Sequence, residues 1–483
     1  MPAQTVPEVR SPAITTSRVT ALRGLDHEHG FKPLEIEGRV PRDLRGTLYR
    51  NGPARFNIGT RPHWFDGIGA VSAVRFDEHG VQGAVRITHT PSVDADQRAT
   101  RPSYGGFRQP FSRARSIGAL FGAAVIRNTA NINLLPWQGR LFALYESTLP
   151  VELDAATLDN RSETDLDGLI LGAWNAHPHH VASRRAVYQF GLRIGKRVWL
   201  DLFELPFSGA ARRLHSIPLP GVNEVHDFFA TDNHLVFVLA PLWCSSLKLL
   251  AKRSFVEALE WRADEATTVL VIPLNAPEKV VRIETEPFFF WHSVNAFERA
   301  GGRELVLDLV RYPDFDATKR VLDAISDGET VASKTSRSSS LRRGVVDLAA
   351  RRVAWQELAA RECEFPAVHR DVQGRDYRYA WLATLGQSAP RDGGFNAITR
   401  FDVETGASHD IDVGPQCALS EPALVPRSAR EDDVYLLSLV RDAAADRSWL
   451  GIWESATTDS EPLAKVWFDQ LLPAPLHGCW MPA

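Results

Sequence analysis

From about residue 35 onward the chain keeps returning to one unit, a short run of β-branched and aromatic residues followed by a tight turn. Residues 70–76, 81–87, 140–146, 197–203, 234–240, 267–273, 305–310 and 434–440 are such runs, with the composition and length of β-strands. Gly80, the pair Gly301 and Gly302, and Glu404-Thr405-Gly406 mark the turns. Residues 401–413 read as one hairpin about Glu404-Thr405-Gly406. So many strands must close on themselves or leave edges open to aggregation. At 483 residues the closed solutions are a large sandwich, a barrel or a β-propeller. No WD or kelch repeat decides among them.

Helix is expected only in insertions, near 107–127, 242–259 and 316–327. No Pro-, Gly- or Ser-rich linker divides the chain. The expectation is one folded unit over 31–483, preceded by a mobile tail over 1–30 whose start is rich in Pro, Ser, Thr and Arg. A hydrophobic fraction of 44% allows a large core without staples. The near balance of 55 basic and 59 acidic residues gives no field to draw nucleic acid. Cys244, Cys363, Cys417 and Cys479 are far apart and form no CxxC pair, which fits a reducing, cytoplasmic setting. No secretory signal and no apolar run of membrane-spanning length is present. Segments 107–127 and 241–259 mix apolar residues with Arg and Lys, so each is either an interfacial helix at a membrane surface or a buried helix with a solvated edge.

Fifteen histidines make context decisive. His177, His226, His292 and His477 each lie in a strand-edge segment among aromatic or turn residues, far from one another in the chain. Their separations exclude a helical i, i+4 metal motif. They could meet only from different strands at a common axis, a geometry that a propeller supplies. Neutral imidazoles bind Fe²⁺ and other borderline divalent ions. His179 and His180 stand close enough to compete with His177.

Around these histidines the sequence resembles the carotenoid cleavage oxygenases. The resemblance rests on His226-Asp227-Phe228, the aromatic run ending in His292 with Asn295-Ala296-Phe297-Glu298, and His477-Gly478. It extends to Asn51-Gly52-Pro53, His63-Trp64-Phe65-Asp66-Gly67, Asn128-Thr129-Ala130-Asn131, Glu364-Phe365-Pro366 and Glu421-Pro422, in order from about residue 32. It implies an all-β, seven-bladed propeller with a dome of helices and loops over one face. It implies Fe²⁺ on the axis, held by His177, His226, His292 and His477. Glu146 would accept a hydrogen bond from His226, Glu364 from His292 and Glu421 from His477, with His177 left without such a partner. The activity implied is scission of a conjugated C=C bond of an apolar carotenoid or apocarotenoid by O₂, giving two carbonyl products. Phe288, Phe290, Trp291 and Ile132 are candidates to line the substrate's passage. An insoluble substrate also favours peripheral membrane contact through 107–127 and 241–259.

The sequence departs from the family in two places. Glu146 is followed by Ser147-Thr148 rather than two glycines, and Ile132 stands where several members carry a threonine near the iron. The rival readings are a stilbene-cleaving or retinoid-isomerising member of the same family, and a propeller that only binds partners.

Overall fold

Short strands rich in Val, Leu, Ile and aromatic residues pair with their chain neighbours, because a two- to six-residue turn costs little to close. The computed structural model describes residues 22–56, 63–99, 103–112, 114–115, 125–251, 253–327, 339–388, 394–455 and 460–483. Within them seven antiparallel sheets of at least four strands stand as the blades of a propeller. In chain order the blades are built on the strands Gly46–Arg55, Asn133–Trp137, His179–Val181, Phe229–Ala230, Phe289–Arg299, Cys363–Val368 and Cys417–Leu419 with their successors. Around most of the axis the innermost strands of successive blades touch one another, as Phe289–Arg299 does Phe229–Ala230 on one side and Cys363–Val368 on the other.

Second strands such as Val434–Asp442 and Glu304–Tyr312 are buried along almost their whole length, because a neighbouring blade covers each face. Outermost strands such as Arg352–Ala359 and Ser408–Asp412 are exposed or half-buried everywhere except Ile411. The blade-to-blade surface therefore sets which runs read as continuously apolar.

The ring is closed twice by distant parts of the chain. Gly478–Pro482 pairs with Gly46–Arg55 as the inner strand of the first blade, in the register Gly46 with Pro482 and Arg50 with Gly478. Glu35–Gly38 pairs with Ala464–Trp467 as the outer strand of the seventh. The tail boundary expected at residue 30 falls inside the strand His29–Pro33, which pairs with Gly80–Ile87.

The insertions gather over one face. They supply the helices Pro91–Arg98 and Phe315–Asp327, and the short helices Ser246–Leu250 and Phe255–Ala258. Thr90 caps the first by accepting from the Val93 N–H at 3.2 Å. Their side chains, among them Trp64, Phe107, Val256, Phe315 and Leu322, share one apolar cluster with Phe289 and Trp291 of the fifth blade. The helix expected over 316–327 is present one residue longer at its start. The helix expected over 242–259 is two short pieces flanked by the paired strands Leu242–Cys244 and Leu259–Trp261. In the segment 107–127, residues 113 and 116–124, with Ile117, Leu120 and Phe121, lie outside the described residues. Among the described residues no helix is long and apolar enough to cross a membrane.

Candidate metal centre

Each of the four singled-out histidines stands at or just before an innermost strand. His477 precedes Gly478–Pro482; its N–H donates to the Ile132 carbonyl at 3.1 Å and its carbonyl accepts from Asn51 N–H at 2.8 Å. His177 and His226 precede His179–Val181 and Phe229–Ala230. One side chain sets both: Asn175 accepts from the His177 N–H at 2.7 Å and donates to the His226 carbonyl at 2.9 Å. His292 lies within Phe289–Arg299, where the ladder shifts register between Phe290 and Ser293. A shift of this kind breaks simple alternation and re-aims a side chain. Asp227 holds that bend by accepting from the Ser293 N–H and O–H, each at 2.7 Å.

The four rings converge. Centroid separations are 4.3 Å for His177 and His226, 4.9 Å for His177 and His477, 4.8 Å for His292 and His477, and 5.3 Å from His292 to both His177 and His226. All four are buried. Candidate ligand atoms of His177, His292 and His477 lie within 4.8 Å of one another, and a second set of Glu146, His177 and His226 shares His177 with the first. His179 turns away to Asp227, with 2.8 Å between Nε2 and Oδ1, and His180 is exposed against Phe207. Of the three neighbouring imidazoles, His177 is the one that faces the centre.

The carboxylates stand behind the rings. His292 Nδ1 donates to Glu364 at 2.5 Å and His477 Nδ1 donates to Glu421 at 2.9 Å. His226 Nδ1 touches Glu146 Oε1 at 2.5 Å without the alignment of a hydrogen bond, and the same oxygen is 3.7 Å from His177 Nε2. Two further residues lock this arrangement, and no motif points to their role. Tyr312 O–H donates to the free oxygen of Glu364 at 2.6 Å. Arg50, itself buried, donates to Glu421 at 2.7 Å. Arg50 immediately precedes Asn51-Gly52-Pro53, so only its burial in a strand could have marked it.

A carboxylate on Nδ1 fixes the tautomer and leaves the lone pair on Nε2. His292 Nε2 and His477 Nε2 face each other at 3.1 Å; with both rings neutral and their protons on Nδ1, each would turn a lone pair toward the other. Two imidazole nitrogens at about 2.1 Å from one cation, at right angles, would stand about 3.0 Å apart. His177 Nε2 is buried with no hydrogen-bond partner. Burial, reinforced by the neighbouring imidazoles, pushes His177 well below its ordinary range, and burial with His292 takes His226 down to about 3. Burial lowers His477 against the pull of Glu421. At His292 burial pulls downward, but Glu364 together with Asp227 and Glu421 outweighs it and raises the imidazole. Burial drives Glu146 up to about 8, with Asp227 adding to the rise and His292 opposing it. Glu421 goes the other way, because His477 and Arg50 outweigh its burial. Orphaned lone pairs beside buried carboxyl groups fit a divalent cation, whose charge would hold Glu146 ionised.

Of the four residues expected along the substrate's passage, Trp291 and Ile132 belong to the apolar cluster beneath the dome, and the Trp291 ring meets His226 edge-on at 4.5 Å. Phe288 and Phe290 do not. They pack between the fourth and fifth blades, Phe288 against Trp355 and Phe290 against Phe229. Alternation along the strand sends Phe289, not its neighbours, to the dome side.

Solved structures share this architecture. A threonine-to-alanine mutant of the Synechocystis apocarotenoid oxygenase superposes with a TM-score of 0.84 at 29% identity, covering 96% of this chain and 98% of that one. The cobalt-substituted form of that oxygenase gives 0.83 at 28% identity, with the same coverage. In sequence the chain is 30% identical over 460 residues to apocarotenoid-15,15'-oxygenase of Synechocystis sp., covering 92% of each. It is 28% identical to isoeugenol monooxygenase of Pseudomonas putida, over 92% of this chain and 94% of that protein. The pattern of the retinal pigment epithelial membrane protein family matches residues 24–482, and the chain belongs to that family.

Proposed function

We propose that this protein is an Fe²⁺-dependent oxygenase that cleaves a conjugated C=C bond of an apolar carotenoid or apocarotenoid with O₂, giving two carbonyl products. The observation that carries the reading is the pairing of His292 with Glu364 and His477 with Glu421, which leaves both Nε2 lone pairs turned to one point. The reading assigns His177, His226, His292 and His477 as ligands, with Glu146, Glu364 and Glu421 behind them. Ferrous iron, when bound, would supply the redox chemistry that activates O₂.

The chain's own residues have three tasks in this reading. Glu364, held by Tyr312, and Glu421, held by Arg50, hold the Nδ1 protons of two imidazoles, raise their basicity and aim Nε2 inward. Trp291 and Ile132 keep the dome side apolar and exclude water. A polyene offers few groups to hydrogen-bond, so the aromatic wall selects a bond by position rather than by polar contacts. No protein nucleophile is needed. The same reading takes residues 241–259 to a membrane surface, where the substrate partitions; Leu247 there is 80% exposed beside Lys248.

The test is to incubate iron-loaded protein with apocarotenals, carotenes, stilbenes and isoeugenol under ¹⁸O₂ and identify products by mass. Labelled aldehydes from an apocarotenal, lost on chelation, are expected. Turnover that persists without metal, or cleavage of the phenolic substrates alone, would overturn the proposal.

A further inference from the structure

Two unlike surfaces meet at the four histidines. On the dome side they adjoin Trp291, whose ring also packs edge-on to Phe65, within the apolar cluster. On the other side a cavity of about 310 Å³ follows the axis from His177, His292 and His477, walled by the innermost strands. Asn133, Asp227, Glu421 and Gln373 reach it, and His180 and Arg370 stand at its exposed end. None of the aromatic residues under the dome lines it.

We propose that this axial cavity is the path by which the metal ion reaches the histidines, with His180 the first imidazole it meets. The proposal rests on the metal reading above. A divalent cation sheds its water only where other oxygens or nitrogens replace it, and the aromatic surface of Trp291, Phe65 and Phe107 beside the histidines is poor in them. The axial passage supplies them. The carboxylates of Asp227 and Glu421 offer oxygens along the way; Asp227 accepts from Ser293 and pairs with His179, and the charge of Glu421 is offset by Arg50, which also lines the cavity. Arg370 at the mouth is offset by Asp371 at 3.6 Å. His180 rests against Phe207 with 4.8 Å between ring centroids. An ion passing His180 and then the wall of the third blade arrives at His177, three residues along the same chain, whose Nε2 has no protein partner.

The test follows loading rather than turnover. Protein stripped by chelation is mixed with Co²⁺, whose absorption bands report coordination, and final metal content is measured by mass spectrometry. Ala367→Phe narrows the passage, Ala423→Leu does so more mildly, and His180→Ala removes the imidazole at the mouth. Loading should slow by about tenfold or more in Ala367→Phe, because a path past the aromatic cluster strips the ion's hydration with little to replace it. It should slow less in the other two, with final occupancy and melting curve unchanged in every variant that folds. Unchanged loading rates in His180→Ala and in both narrowed variants, or in those of them that fold, would overturn the route while leaving the metal reading intact. An unmodified chain that takes up no Co²⁺ would overturn both.

Discussion

Asn175 shows how much one side chain decides: it holds the backbone of His177 and of His226 at once. Asn51 does similar work at the ring closure, donating to the Ala130 and Asn133 carbonyls at 2.9 and 3.0 Å. Asn295 donates to the Val372 and Arg375 carbonyls, each at 3.0 Å. Much of what the motifs specify is therefore stitching between blades. Glu364→Gln removes the charge that His292 and Tyr312 share. Metal content and turnover should both fall, on the order of 10–100-fold, with Tyr312→Phe milder; mass spectrometry and product assay check both. Glu298 makes a pH prediction. It is partly buried, which alone would raise it, but donors from His234, Thr231 and Asn233 win and bring it down to about 2 from 4.5. A carboxyl lowered on folding stabilises above its unfolded value and loses that contribution as pH falls through the folded one. Glu298→Gln should therefore cost about 1–3 kcal/mol near neutrality, and its melting point should approach that of the unmodified protein between pH 4.5 and 2.

At the scale of elements, alternation and turn chemistry gave the sequence most of its legibility. The hairpin at 401–413 is the pair Ala397–Asp402 and Ser408–Asp412, with Phe401 opposite Ser408. The strand Thr267–Pro273 has the bounds its composition suggests. The bend at His292 was not legible, because a register shift depends on which partner strand lies alongside. For the same reason Phe288 and Phe290 were indistinguishable from Trp291 until the partner blade fixed the face. Arg50 and Tyr312 escaped because their partners lie far away in the chain. The short helix Ser246–Leu250 tests the membrane reading. Leu247→Ser should reduce sedimentation with liposomes while leaving the melting curve within about 0.5 kcal/mol, as exposed substitutions do. Equal sedimentation would remove the membrane contact.

For the whole molecule, ring closure and the metal should reinforce each other. A ligand that binds only the folded ring stabilises it by mass action, about 2.7 kcal/mol at a hundredfold excess over its dissociation constant. Stripping the ion should accordingly lower the melting temperature, and adding it back should restore the original value. Removing Gly478–Pro482 should be more damaging, since it bares the edge of Gly46–Arg55; loss of the cooperative melting transition is the expected readout.

The strand that completes the first blade also carries consequences for synthesis. His477 and Gly478–Pro482 follow the other strands of all seven blades in the chain, and are made long after Gly46–Arg55. Until they are made, Gly46–Arg55 waits with an unpaired edge, and no nascent chain can present all four imidazoles. The four imidazoles can therefore come together only once the strand that follows the seventh blade has been made and has paired with Gly46–Arg55.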